Sequence, residues 1–107
     1  MAQGSPFAVD RKAVWTDTPC QGCGIRIAAG TGAFWIARAP DEILESVARF
    51  YFDKPSCIEN WARQWAGDEA KAAASCPPTA QNERRIHERR QNLYEQLATS
   101  ARNVPRE

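Results

Sequence analysis

The sequence predicts an α+β fold in which a small cysteine-bearing β unit is followed by helices. Three observations support this prediction. A tight turn, Cys20-Gln21-Gly22-Cys23, lies near the start of the chain. Two segments rich in aromatic and β-branched residues, 34–38 and 49–52, follow it as candidate strands. From residue 55 onwards, apolar residues recur at the spacing of amphipathic helices.

The composition is that of an ordinary globular chain. Its 107 residues are 43% hydrophobic and 25% charged, so one small domain is expected. The formal net charge of +1 provides no general attraction to nucleic acid or to an anionic membrane. No segment approaches the roughly 18 apolar residues of a membrane span, and the N-terminus lacks the apolar core of a signal peptide. We therefore expect a cytoplasmic protein with no membrane partner.

Catalysis finds little support in the sequence. The single histidine, His87, has no evident nucleophile partner, and no glycine-rich phosphate-binding loop is present. A Cys-x-x-Cys pair can be a redox site, but such sites accompany a βαβ pattern that this sequence lacks. We expect a non-enzymatic protein with no small-molecule substrate, and we place His87 on a solvated helix face.

The β unit is predicted from the two candidate strands. Residues 34–38 and 49–52 should pair, with the intervening segment as a long hairpin loop. Within that loop, the two acidic residues after Pro40 favour a brief helical turn. Residues 1–17 are predicted to be an N-terminal lead-in that is loosely ordered as far as Lys12, and Trp15 could pack over the cysteine turn.

Three helices are predicted after the strands. Ser56 fits the N-cap of the first, and Glu59 completes a capping box three residues later. Gly67 should end that helix, and a short second helix should stop at Cys76-Pro77-Pro78. The third helix is predicted over residues 81–102. The tryptophans expected in the core are Trp35, Trp61 and Trp65.

The cysteines predict a metal site. In a reducing compartment, clustered cysteines favour metal ligation over disulfides. The tight turn directs the thiolates of Cys20 and Cys23 to one point, and the start of a helix favours the thiolate of Cys57. Zn²⁺ takes four such ligands in a tetrahedron. A turn, a hairpin and a helix with a ligand in its first turn form a treble clef, so we expect a zinc-stapled treble-clef finger.

Residues 20–30, which read CQGCGIRIAAG, resemble the opening of zinc fingers of the poly(ADP-ribose) polymerase type and of related small fingers of bacteria and phages. Those fingers close with an aromatic pair, then His-Pro-x-Cys or His-x-x-Cys, then a helix. The segment 51–57 is similar to that closing motif. The resemblance covers residues 18–65 and implies a nucleic-acid-associated role. The resemblance departs at Lys54, where the family has a ligand histidine. A protonated lysine cannot bind zinc, so Lys54 cannot serve as the fourth ligand.

The sequence leaves the fourth zinc ligand open. Cys76 reaches the site if Gly67 reverses the chain, whereas a straight helix leaves Cys76 about 30 Å from Cys57 at the rise of about 1.5 Å per residue. Asp53 is adjacent, and carboxylates do bind zinc. His87 would need the third helix to fold back; water could also take the fourth position, or the site could hold no metal. The preferred set of ligands is Cys20, Cys23, Cys57 and Cys76.

Three regions are predicted: a lead-in at 1–17, a zinc-finger domain at 18–78 and a helical extension at 79–107. The extension carries basic residues that could bind nucleic-acid phosphates, namely Arg84, Arg85, Arg89 and Arg90. It also carries a narrow apolar stripe that could dock on a partner protein or form a homodimer, namely Ile86, Leu93 and Leu97. We predict a regulatory module of a nucleoprotein complex. The alternative is an adaptor or inhibitor that docks through the helix without touching nucleic acid.

Overall fold

The computed structural model describes residues 6–104. In this part of the chain the α+β prediction is confirmed, because short antiparallel strands come first and two long helices follow. The elements are β1 (Ala8–Ala13), β2 (Thr18–Pro19), β3 (Arg26–Ile27), β4 (Gly32–Arg38), α1 (Asp41–Val47), β5 (Tyr51–Phe52), α2 (Pro55–Ser75) and α3 (Gln81–Arg102). Across residues 6–104, no helix has both the length and the apolar character that crossing a membrane requires.

The strands form two small antiparallel sheets. In the larger sheet β4 lies between β1 and β5, and the predicted pairing is confirmed because Phe34 stands opposite Phe52 and Trp35 opposite Tyr51. The predicted helical turn in the connecting segment extends to the seven residues of α1. β2 and β3 pair as a separate ribbon, and this ribbon carries the cysteine turn at its tip.

The lead-in prediction is wrong for residues 8–13, which form β1 along β4. Val14, directly after β1, is buried and exchanges backbone hydrogen bonds with Gly30 and Thr31. Residues 10–12 are exposed and charged and show no apolar alternation, so only the pairing with β4 makes this segment a strand. Residues 1–5 of the predicted lead-in lie outside the described residues. Trp15 is 90% exposed and does not pack over the cysteine turn.

The predicted helix end at Gly67 is also wrong, because α2 runs without a break from Pro55 to Ser75. A glycine in a helix interior costs about 1 kcal/mol relative to alanine. The packing of α2 along α3 offsets this cost, and the chain reverses instead after Cys76, at Pro77 and Pro78. The predicted third helix is confirmed with its bounds, Gln81–Arg102.

α2 and α3 lie antiparallel, and together they are called the helical hairpin below. Trp65 stacks on Tyr94 near the sheet, and Glu69 contacts His87 further out. Trp61 is buried, with edge-to-face contacts to Phe52 of the sheet and to Tyr94 of α3. Trp61 is therefore confirmed in the core, whereas Trp65 and Trp35 are only partly covered.

The predicted capping box at the start of α2 does not form. Lys54 is the N-cap residue, Pro55 opens the helix, and no side chain bonds to the cap. The fixed backbone angle of proline suits the first helical position, which is why the helix begins before Ser56. Glu59 instead forms an ion pair with Arg63, one turn further along α2.

Candidate metal centre

The tip of the β2–β3 ribbon is a tight turn, residues 20–24, which is called the knuckle below. The N–H of Cys20 donates to the carbonyl of Ile25 at 2.8 Å, and the N–H of Gly24 donates to the carbonyl of Cys20 at 2.9 Å. Gly24 has a φ of +82°, a left-handed conformation that glycine adopts without steric cost. These features turn the chain sharply enough to bring Cys20 and Cys23 together.

The knuckle lies against the first turn of α2. A β carbon at Gly22 would stand 2.6 Å from the carbonyl oxygen of Cys57 and 2.8 Å from its β carbon. Only a residue without a side chain permits this approach. The N–H of Gln21 also donates to the carbonyl of Tyr51 at 2.9 Å, which ties the knuckle to β5.

Three thiols meet at this junction, and they are called the thiol cluster below. The sulfur atoms of Cys20, Cys23 and Cys57 all lie within 4.8 Å of one another. None of the three forms a disulfide. Cys20 and Cys57 are buried, whereas Cys23 is exposed. Three convergent sulfur donors from two separate elements could hold a metal ion.

Backbone donors surround the buried sulfur of Cys20. The N–H of Asp53 donates to this sulfur at 3.2 Å. Burial alone would raise the pKa of the Cys20 thiol, but N–H donors from Asp53, Cys23 and Gly22 hold the pKa below its ordinary value. The knuckle and the residue after β5 therefore favour a thiolate at Cys20.

The pKa of the third thiol, that of Cys57, is shifted in the opposite direction. Burial, together with hydrogen bonds to Cys23 and Cys20 and the negative charge of those two groups, raises the pKa of Cys57 to about 12. Without a cation, Cys57 therefore stays a neutral thiol beside the other two sulfurs. A bound metal cation would favour its thiolate, which is the form that coordinates metal.

The structure does not bring Cys76 to the thiol cluster, so its assignment as a ligand is corrected. Cys76 follows the last residue of α2 and contacts the carbonyl of Ala72 at 3.3 Å. Because the helix is unbroken, Cys76 lies about 28 Å along the axis from Cys57, at about 1.5 Å per residue. The chain reversal at Gly67 that the assignment required is absent.

The side chains of Asp53 and His87, the two further candidate ligands, are not part of the thiol cluster either. Asp53 meets the cluster through its backbone N–H, and its carboxylate does not join the three sulfurs in the group of ligand atoms. His87 is partly buried rather than solvated, and its Nδ1 lies 2.7 Å from a carboxylate oxygen of Glu69. Within residues 6–104, the group of potential ligand atoms at this site consists of the three thiols.

The four arginines of α3 do not form one free stripe. Arg84 pairs with Glu88 at 3.4 Å, and Arg89 pairs with Glu42 of α1 at 3.2 Å. Arg85 is exposed, and Arg90 is partly buried. All four lie in the first half of α3, towards the end of the helical hairpin that is remote from the thiol cluster.

The apolar stripe predicted as a docking face is mostly used inside the chain, so this assignment is corrected. Leu97 is fully buried in the core and Leu93 packs against it, whereas Ile86 is 49% exposed. The stripe faces α2, because a long amphipathic helix buries its apolar face on the nearest apolar surface. Of the three residues, Ile86 is the most exposed, Leu93 is partly buried and Leu97 is inaccessible to a partner.

Sequence reasoning missed two contributors to the centre. Gly22 permits the contact between the knuckle and Cys57, and the backbone N–H of Asp53 bonds to Cys20. A glycine inside the Cys-x-x-Cys turn was a visible signal for the first. The sequence carries no signal for the hydrogen bond from Asp53 to Cys20, because any residue except proline supplies a backbone N–H.

No protein-family model, curated protein or solved structure matches this chain. The geometry of the site is therefore the basis for assigning it a function.

Proposed function

We propose that this chain is a non-enzymatic, zinc-binding regulatory module that works within a nucleoprotein complex. The observation that carries the proposal is the convergence of three thiols from the knuckle and the first turn of α2. Zn²⁺ is assigned because a thiolate set is soft and suits zinc, whereas Mg²⁺ and Ca²⁺ prefer oxygen ligands.

The proposed role of the ion is to join two parts of the fold. Cys20 and Cys23 belong to the ribbon side and Cys57 belongs to the helical hairpin. An ion bound by all three fixes the ribbon on the hairpin, and the binding free energy contributes directly to folding. Cys20, whose pKa is held low, is the donor best prepared for this role.

Nucleic acid is proposed to contact the first half of α3. The side chains of Arg84 and Arg89 are 55% and 70% exposed despite their ion pairs. Exposed ion pairs contribute little to stability, so both arginines can exchange a carboxylate for a phosphate at small cost. Within residues 6–104, Arg85 forms no ion pair that a phosphate would have to replace. The alternative adaptor role is less favoured, because Leu97 is fully buried and Leu93 is packed against the core.

Two measurements test the proposal. Elemental analysis of protein purified without added metal should find about one zinc per chain, and a folded protein with less than about 0.2 zinc per chain would contradict the zinc assignment. A mobility-shift assay with duplex DNA should show binding that weakens with salt, because each phosphate contact releases a counterion. Absence of binding at low salt would contradict the nucleic-acid assignment alone.

A further inference from the structure

We infer that the metal centre is completed from outside the chain: the three thiols hold the ion, and its fourth position accepts an external thiolate or imidazole. This inference rests on the proposed zinc function and adds a ligand class to it. Four observations support it, concerning the remaining nitrogen and sulfur ligands, the carboxylates, the exposure of the cluster and the chemistry of its donors.

The chain has few other nitrogen or sulfur ligands. It contains four cysteines and one histidine, so Cys76 and His87 are the only strong donors outside the thiol cluster. The straight α2 holds Cys76 at the far end of the helical hairpin. Glu69 binds His87 at 2.7 Å, and Glu69 itself lies about 18 Å along α2 from Cys57, at about 1.5 Å per residue. Neither donor reaches the centre without unfolding the hairpin.

Carboxylates do not complete the centre either. Within residues 6–104, no aspartate or glutamate oxygen joins the three sulfurs in their group of ligand atoms. Glu59, two residues after Cys57, pairs with Arg63 at 2.9 Å. Asp53 meets the cluster through its backbone N–H, which donates to the sulfur of Cys20 at 3.2 Å.

The cluster opens to solvent on one side. Cys20 and Cys57 are buried, while Cys23 is exposed together with its neighbours Gly22 and Gly24. Both glycines lack a side chain that could cover the sulfur of Cys23. A small molecule or a protruding side chain can therefore approach an ion at this centre from the knuckle side.

The donor set selects the class of the external ligand. Zinc with three protein ligands and an accessible fourth position exchanges the fourth ligand with solvent or substrate, whereas four protein ligands close the site. Beside three thiolates, a further thiolate or a neutral imidazole matches the softness of the ion better than a carboxylate does. The external donor is therefore a cysteine or histidine side chain of another molecule, or a small compound with the same group.

The test uses the full chain loaded with Co²⁺ under anaerobic conditions, because the d–d absorption of Co²⁺ reports its coordination. Imidazole and 2-mercaptoethanol are added in separate titrations at constant pH. We expect each to shift the d–d bands saturably. Imidazole should leave the thiolate-to-cobalt charge-transfer absorption intact, and the monothiol should increase it by about a third, since a fourth thiolate joins three.

The source of the donor is read from dilution and from two variants. One outcome is that the spectrum of the parent protein changes on dilution while that of Cys76→Ser or of His87→Ala does not change. This result identifies a second copy of the chain as the external donor and supports the inference. If either substitution changes the spectrum at all dilutions, the chain supplies its own fourth ligand and the inference is wrong. Bands unmoved by both probes, up to concentrations that remove the metal, also overturn it. Failure to bind Co²⁺ or Zn²⁺ at all refutes the zinc function itself.

Discussion

Gly22 and Cys57 are in direct backbone contact, although they are distant in sequence and belong to different elements. A β carbon at Gly22 would stand 2.6 Å from the carbonyl oxygen of Cys57, which is closer than β carbons approach in folded proteins. This contact places the knuckle on the first turn of α2 and brings the third thiol to the other two. The absence of one side chain thus determines whether the centre can form.

Gly22→Ala should therefore weaken the metal site. Because backbone atoms cannot move aside cheaply, the knuckle must shift away from Cys57, and a loss of about 1–3 kcal/mol in stability is expected. The measurement is zinc retention against a chelator, together with thermal unfolding. Gly67→Ala is the matched control, since a β carbon there meets nothing within 4 Å and its helical setting favours alanine. Equal behaviour of the two variants would contradict the importance of the contact.

Cys23→Ser and Cys76→Ser should separate ligand from bystander. Loss of Cys23 removes one of three sulfurs, so zinc should exchange faster with a chelator and the melting temperature should become insensitive to added zinc. Cys76→Ser should retain zinc like the parent, because Cys76 lies at the far end of α2. Zinc content and melting curves with and without chelator measure both. A larger zinc loss from Cys76→Ser than from Cys23→Ser would contradict the cluster.

Leu97→Ala should destabilise the fold, because Leu97 is fully buried in the hydrophobic core. Truncation of a buried leucine to alanine costs about 2–5 kcal/mol. Ile86→Ala, on the same helix but 49% exposed, should change stability by no more than about 0.5 kcal/mol. Urea unfolding measures both. A neutral Leu97→Ala would mean that the stripe is not packed inside the chain.

Arg85→Gln should weaken DNA binding at low salt. If Arg85 contacts one phosphate, the slope of log affinity against log salt should become shallower by about one. Arg63→Gln is the control, because it removes the same charge from α2 at the end near the metal centre, where Arg63 pairs with Glu59 at 2.9 Å. The measurement is fluorescence anisotropy of labelled duplex DNA over a range of salt concentrations. Identical losses in the two variants would indicate an effect of overall charge and not a contact of α3.

The sequence alone determined the features that depend on local chemistry. The Cys-x-x-Cys turn predicted the convergence of Cys20 and Cys23, aromatic content predicted the pairing of β4 with β5, and the third helix was predicted with its bounds. The placement of Cys57 at a helix start also followed from its neighbours. The cysteine turn, the strand segments and the helix bounds each depend on residues that are close in sequence, where turn chemistry, propensity and periodicity act directly.

Only the tertiary structure decided the remaining features. β1 is a strand because β4 pairs with it, since its own charged residues have no strand pattern. Gly67 does not stop α2, because packing on α3 outweighs a cost of about 1 kcal/mol for one glycine. The continuous helix in turn removes Cys76 from the metal centre, and the packing of α3 buries Leu97 in the core. Such outcomes depend on free energies summed over distant contacts, which no local pattern contains.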